Sequence, residues 1–275
     1  MHVALAQLPV SSQPAVNLSR IESALTSASA QGSELAIFPE GSQLRFSADL
    51  RAGAEPLDGP FCTGLATAAR RTGVALIAGV FETAGDQRVY NTTVAIDASG
   101  ELVAAYRKIH LFDALGQRES ETIAPGSELV IAELAGLKVG ILTCYDVRFP
   151  ELARALTVLG ADLIAIGSAW AAGLYKEEHW VTLVRARAIE NTIWVAAAGQ
   201  VPDADEPPTN APTGVGRSLL VDPMGAARLD LGSAAGVSVG IVDTEQTKRV
   251  RAALPCLQHR RPELFAAVLD NPLVS

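Results

Sequence analysis

Three apolar runs in this chain each end in one reactive polar residue: Phe38-Pro39-Glu40, Tyr106-Arg107-Lys108 and Leu142-Thr143-Cys144. Each run reads as a β-strand, and strand ends converging on one rim of a sheet are where α/β enzymes place reacting groups. The three side chains also suit one another. A cysteine thiol is mostly protonated at neutral pH and attacks a carbonyl only when a base or a cation helps supply thiolate. Glu40 can take that proton, and Lys108 can hold the oxyanion that forms on the attacked carbonyl. An ammonium buried beside carboxylates stays charged, as that task requires. Singly, each residue has a plainer use: a cysteine as apolar filler, a glutamate after proline as a helix cap, a lysine as a solvated charge. Their order and shared setting favour the chemical reading.

The elements that must position these residues alternate between strand and helix. Residues 3–7 read as a buried strand, followed by a helix with Asn17 at its N-cap and Leu18, Ile21, Leu25 and Ala28 at helical spacing. A second apolar run over 35–40 follows Gly32. The same grammar gives a helix over 61–71, closed by Gly73, and a strand over 74–81. Hairpins then interrupt: 90–96 and 102–106 flank Asp97-Ala98-Ser99-Gly100, and 129–134 and 137–143 flank Ala135-Gly136. A helix from Pro150, a strand over 162–166, a helix over 176–191 and a strand over 193–198 come next. Residues 201–216, rich in Pro, Asp and Thr, read as an exposed loop. The spacing pairs 217–221 with 237–242 around Pro223-Met224-Gly225, before a last helix near Thr244. This mixture predicts an α/β (mixed α+β) fold in which two mixed sheets carry helices on their outer faces, as one domain over 1–275.

Composition removes several classes of function. The chain has 275 residues, 49% of them hydrophobic and 19% charged, enough for a continuous core. Its 22 basic and 30 acidic residues give a net charge of −8 without a basic block, which argues against nucleic acid and anionic membranes as partners. The first residues lack a basic region followed by a long apolar run, so no secretory signal is expected. Three widely spaced cysteines, Cys62, Cys144 and Cys256, fit free thiols in a reducing cytoplasm. With no CxxC pair, no His-rich cluster and no Gly-rich phosphate loop, neither a metal nor an organic cofactor is expected.

The stretches around the three reactive residues resemble the signatures of the nitrilase, or carbon–nitrogen hydrolase, superfamily. They read Leu35-Ala36-Ile37-Phe38-Pro39-Glu40, Tyr106-Arg107-Lys108-Ile109-His110-Leu111-Phe112-Asp113 and Gly140-Ile141-Leu142-Thr143-Cys144-Tyr145-Asp146-Val147-Arg148-Phe149-Pro150-Glu151. Three linked motifs in the family's order, spanning nearly the whole chain, make the resemblance specific. It implies an α-β-β-α sandwich, assembled as a homodimer or higher homo-oligomer. By motif it also implies Glu40 as general base, Lys108 as oxyanion stabiliser and Cys144 as nucleophile, with the backbone N–H of Tyr145 as second oxyanion donor. Family members often carry a further glutamate between lysine and cysteine. Of Glu119 and Glu121, the match to Glu-Ser ahead of the Pro125-Gly126 turn selects Glu119, to hold Lys108 and orient substrate or water.

The residues after Cys144 look like those of Nit-type amidases rather than true nitrilases or carbamoylases, as does His179-Trp180 followed by Arg185-Ala186-Arg187-Ala188-Ile189-Glu190-Asn191. Such enzymes are similar to ω-amidases, which act on α-ketoglutaramate, or to deaminated-glutathione amidases. The expected substrate is therefore a small carboxylate-bearing monoamide; a nitrilase or carbamoylase of the same fold, or a non-enzymatic binding protein, stands behind it. Arg148, four residues past the nucleophile, can take that carboxylate bidentately. An ion pair with Glu151 or Asp146 is the competing structural reading. Trp170 is expected as an apolar pocket wall or as core. His110 reads as a hydrogen-bonding support, and Arg187 with Glu190 as a structural pair on a helix face. The stretch 168–177 departs from the ω-amidase pattern, and that bears on the substrate more than on the chemistry.

Overall fold

A computed structural model describes residues 1–264 of the chain. Its first strand already shows the layering. β1 (His2–Gln7) sends Val3 and Leu5 into one apolar cluster and Ala4 and Ala6 into another. Successive residues of a strand point to opposite faces, so a strand covered on both faces reads as an unbroken apolar run. β2 (Leu35–Ile37) repeats the arrangement, with Leu35 and Ile37 on one side and Ala36 and then Phe38 on the other.

These two strands sit in a seven-stranded sheet with β3 (Ala75–Thr83), β4 (Val89–Ile96), β5 (Leu102–Arg107), short β6 (Ile123–Ala124) and β13 (Gly236–Ile241). Its order is β13-β1-β2-β3-β4-β5, with β6 paired to β4. A six-stranded sheet joins β7 (Ile131–Leu134), β8 (Leu137–Thr143), β9 (Leu163–Ser168), β10 (Trp194–Gly199), β11 (Leu219–Val221) and β12 (Ala227–Asp230), in the order β12-β11-β10-β9-β8-β7. Each sheet has a parallel centre (β1-β2-β3 and β8-β9-β10) flanked by antiparallel strands.

The two sheets pack face to face through one apolar layer, where Leu5, Ile37 and Ile77 of the first meet Ile141, Leu163 and Ala196 of the second. α1 (Pro14–Ala30) and α3 (Pro60–Thr72) cover the outer face of the first sheet through Ile21, Leu25, Phe61 and Leu65. α4 (Pro150–Val158) and α5 (Lys176–Asn191) cover the second through Leu156, Trp180 and Val184. Single-turn α2 (Leu50–Gly53) lies beside the first sheet, and α6 (Thr244–Ala253) follows β13. The α-β-β-α order is the one expected. Each fully buried aliphatic side chain in these layers contributes roughly 1.5–3 kcal/mol.

Two local expectations need correction. Asn17 lies inside α1, which starts after Gln13 with Pro14 in its first turn; its buried amide instead bonds Ser11 N and O and Gln43 O, tying the helix to two loops. Residues 217–221 do not pair with 237–242. β11 turns back onto β12, a short polar edge strand without a recognisable apolar pattern, while β13 crosses to the other sheet and runs antiparallel to β1. The 201–216 stretch is the exposed loop expected, and side chains tether it to the body of the protein. Glu206 accepts from Ser11 Oγ, Ser12 N, Ser12 Oγ and Arg45, and Asp203 pairs with Arg20 at 2.7 Å.

Candidate active site

Glu40, Lys108 and Cys144 meet at the seam between the two sheets, where β2, β5 and β8 end. The segment carrying Glu40 is squeezed between the sheets so closely that only glycine fits beside it. A Cβ on Gly79 would lie 2.4 Å from Gly41 N, and one on Gly167 would lie 2.9 Å from Glu40 N. Gln200 Nε2 donates to Glu40 O at 2.7 Å and fixes the same segment from β10's end.

The Glu40 carboxylate is held by three donors and keeps one acceptor site on Oε2. Its Oε1 accepts from Lys108 Nζ at 3.0 Å and from Asn91 Nδ2 at 2.8 Å, while Oε2 accepts the backbone N–H of Ala169 at 2.8 Å. Lys108 Nζ also donates to both oxygens of Glu119 at 2.9 Å, so one buried ammonium bridges two carboxylates. Glu119 is itself oriented by Phe112 N–H at 2.6 Å and more weakly by Asn91. Glu121, the other glutamate of that stretch, is exposed and pairs with Arg118. Burial works against the charge on Lys108, but Glu119 and Glu40 outweigh it and hold its pKa well above the ordinary lysine value. The ammonium therefore stays charged while a reaction proceeds beside it.

Cys144 opens a helical turn, Cys144–Arg148, that follows β8 directly. Its φ is +48°, a left-handed conformation that a residue with a Cβ adopts only when its surroundings impose it. A reciprocal cap imposes it: Asp146 accepts Thr143 N–H at 3.0 Å, while the Thr143 side chain accepts from the backbone of Asp146. Burial and the nearby Glu40 carboxylate push the Cys144 thiol far above its ordinary pKa, opposed by Lys108. The thiol is thus protonated at rest, and sulfur attack must be coupled to removal of its proton. Tyr145 is the second residue of this turn, at the end where backbone N–H groups lack helical acceptors. Its ring stands edge-on to Phe112 and Phe149.

A cleft of about 180 Å³ opens onto Glu40, Lys108 and Glu119, with Phe46, Phe112, Ala211 and Pro212 among its walls. The tethered 201–216 loop thus forms one side of it. Arg148 forms no ion pair with Glu151 or Asp146. Its guanidinium lies 4.9 Å from the centre of the Trp170 ring and 3.4 Å from His179 Nδ1. Trp170 is buried and donates its indole N–H to Lys176 O at 2.6 Å. His110 supports rather than reacts: its backbone N–H and Nδ1 both meet Asp146 Oδ1, and its ring stacks on Phe149. Arg187 pairs with Glu190 and donates to Val147 O.

Three contributors escaped the sequence reading. Asn91 was visible only as an amide in an otherwise apolar strand. The Ala169 N–H belongs to the backbone and has no side-chain signature. Lys176 opens α5, where the positive end of a helix disfavours a cation. That misplaced charge was the available signal. Among the described residues no group of three or more His, Cys, Asp or Glu side chains is arranged to hold a metal ion, and no helix is long and apolar enough to cross a membrane.

The sequence model for carbon–nitrogen hydrolases matches residues 2–252. The chain belongs to that family. A hydrolase from Mycobacterium tuberculosis is 39% identical over 267 residues, covering 94% of this chain and 95% of its own. The deaminated glutathione amidase of Escherichia coli O157:H7 is 34% identical over 265 residues, covering 95% and 97%. Among solved structures, a glutamate-to-glutamine mutant of the amidase from Nesterenkonia sp. AN1 superposes with a TM-score of 0.80 at 27% identity, covering 96% and 95%. In that structure the acetamide moiety of fluoroacetamide is covalently attached at the active-site cysteine. This carbon–nitrogen hydrolase is accordingly an enzyme of the amidase type, with the nitrilase-superfamily fold.

Proposed function

We propose that this carbon–nitrogen hydrolase releases ammonia or an amine from a small carboxylate-bearing monoamide through a thioester on Cys144. The observation that carries the reading is the buried chain of contacts from Glu119 through Lys108 to Glu40, ending beside the protonated thiol. In the first step Cys144 Sγ bonds to the amide carbon as its proton passes to Glu40. Lys108 Nζ and the Tyr145 N–H stabilise the oxyanion, a contribution typically worth about 2.7–4 kcal/mol per donor. Glu40 then returns the proton to the leaving nitrogen, the C–N bond breaks, and the acyl group remains as a thioester. Water attacks that thioester with Glu40 again taking the proton, and the second collapse regenerates the thiol and frees a carboxylic acid. Glu119 keeps Lys108 aligned through both halves. No step draws on a metal or an organic cofactor.

Arg148, held over Trp170 without a carboxylate partner, supports an acidic group at the non-reacting end of the substrate. α-Ketoglutaramate fits that class. Deaminated glutathione is the second reading, favoured by the relative of that name at 34% identity. Free cysteines support work in a reducing cytoplasm. Ammonia or amine release should be assayed on a panel holding α-ketoglutaramate, deaminated glutathione, glutamine and neutral amides of matched size. Turnover confined to neutral amides would sink the acidic-substrate reading, and no turnover of any amide would sink the whole.

A further inference from the structure

Lys176 is an oddly placed charge. It is only 7% exposed, yet among the described residues its Nζ has no hydrogen-bond or ion-pair partner. It faces two aromatic rings instead, 4.7 Å from the centre of Trp170 and 4.9 Å from that of Phe112. The chain is bent to put it there. Tyr175 takes a left-handed φ of +57°, leaving Leu174 and Tyr175 in solvent while Lys176 turns inward, and the Trp170 N–H pins the Lys176 carbonyl. Such backbone strain persists only where the surroundings fix it, and it recurs at ligand sites.

Contacts with the two rings explain how the ammonium is tolerated. They do not explain why a second cation shares the same indole. Arg148 lies 4.9 Å from the centre of Trp170, also without a carboxylate partner. Arg148 is only partly buried and neither cation has a counter-charge among the described residues, so two like charges share one indole and repel. An anion bound by both would offset that repulsion. Phe112 links this pair to the cleft, since its ring touches Lys176 on one side and lines the cavity of Glu40, Lys108 and Glu119 on the other.

Resting on the acidic-substrate reading above, we infer that Lys176 and Arg148 together form a two-cation seat for the substrate's remote carboxylate, and that Lys176 is a specificity-determining residue for acidic over neutral amides.

The test uses the purified full chain and one matched pair, glutaramate (the monoamide of glutaric acid) and neutral pentanamide. Lys176→Met keeps the stem and removes the charge. Its kcat/KM for glutaramate should fall about tenfold or more, mainly through KM, with pentanamide changed by about twofold at most. Lys176→Arg should keep most of the preference, and Lys176→Met should melt close to wild type because methionine keeps the buried stem packed against the two rings. If wild type prefers glutaramate and Lys176→Met keeps the same preference, this inference fails while the acidic-substrate reading stands. Equal losses on both amides with a lowered melting temperature would make Lys176 a structural prop and overturn the inference too. A wild type indifferent to the carboxylate overturns the acidic-substrate reading and takes this one with it.

Discussion

The phenol of Tyr106 donates to Asp146 Oδ2 at 2.7 Å across the seam between the two sheets. Tyr106 precedes Lys108 by two residues, and Asp146 caps the turn that begins at Cys144, so this buried bond, together with those of His110 to Asp146 Oδ1, sets the spacing of cation and thiol. Burial and the adjacent Asp146 push the phenol well above its ordinary pKa, which keeps it a donor. Tyr106→Phe should cost about 1.5–3 kcal/mol of stability in urea unfolding, the usual worth of a hydrogen bond to a charged group. Turnover should fall with it, because one of the ties between the Lys108 strand end and the Cys144 turn is gone, leaving those of His110. Full turnover in a destabilised variant would reduce the bond to a structural one.

Cys144→Ala should abolish amide hydrolysis and leave the melting temperature close to that of wild type. A variant retaining a tenth of wild-type turnover would remove the thioester. Cys62→Ser and Cys256→Ser are the controls. Cys62 sits in the outer apolar layer of the first sheet, where burial and nearby carboxylates raise its pKa to about 11. It is neutral and far from the cleft, so serine there should cost about 1 kcal/mol of stability and no activity.

The three strand-end residues were legible because the grammar that places them is local: an apolar run, then one polar residue. Glu119 needed the resemblance, since nothing in its own neighbourhood separates it from Glu121. The tether of the 201–216 loop was illegible for a different reason. Glu206 and Arg45 are 161 positions apart, and such a pair exists only after both sheets have formed. The partner of 237–242 failed likewise. Its pattern predicts a strand, but which sheet edge receives it depends on β12 having already closed the nearer one.

Glu119→Gln should lower kcat by about 10²–10³, leaving Lys108 with one counter-charge and less firmly aimed. The sign on pH follows from the opposing influences on that lysine. Burial lowers its pKa, while Glu119 and then Glu40 raise it. A raised pKa means the charged form is lost only as pH climbs through the high folded value. Removing one carboxylate should therefore bring the alkaline fall in kcat/KM to lower pH. A pH–rate profile whose alkaline limb does not move would show that Glu119 does not hold the charge on Lys108.

The loop tether offers a stability test. Bonds from Ser11, Ser12 and Arg45 hold the Glu206 carboxyl at a pKa of about 2, against an ordinary 4.5. A lowered pKa stabilises fully above the ordinary value and is lost as pH falls through about 2, so the loop should stay latched down to about pH 3. In Glu206→Gln the loop should be cut about ten to a hundred times faster by protease at pH 7, with KM raised because Ala211 and Pro212 wall the cleft. Unchanged cleavage would mean that Asp203 and Arg20 suffice to hold it.

The last prediction concerns Arg148, whose structural alternative has lost its support because neither Glu151 nor Asp146 pairs with it. Arg148→Lys should raise KM for an acidic monoamide about tenfold to a hundredfold and leave a neutral amide of equal size nearly untouched. The reason is geometric. Lysine keeps the charge but loses the planar fork that grips both carboxylate oxygens, and a charged hydrogen bond is worth about 1.5–3 kcal/mol. The melting temperature should stay near the wild-type value, since the guanidinium's contacts are a ring face and the 3.4 Å approach to His179. Kinetics on the matched pair together with one melting curve decides the matter. Equal losses on both amides, accompanied by a lower melting temperature, would return Arg148 to the scaffold and leave the acidic-substrate reading to rest on Lys176.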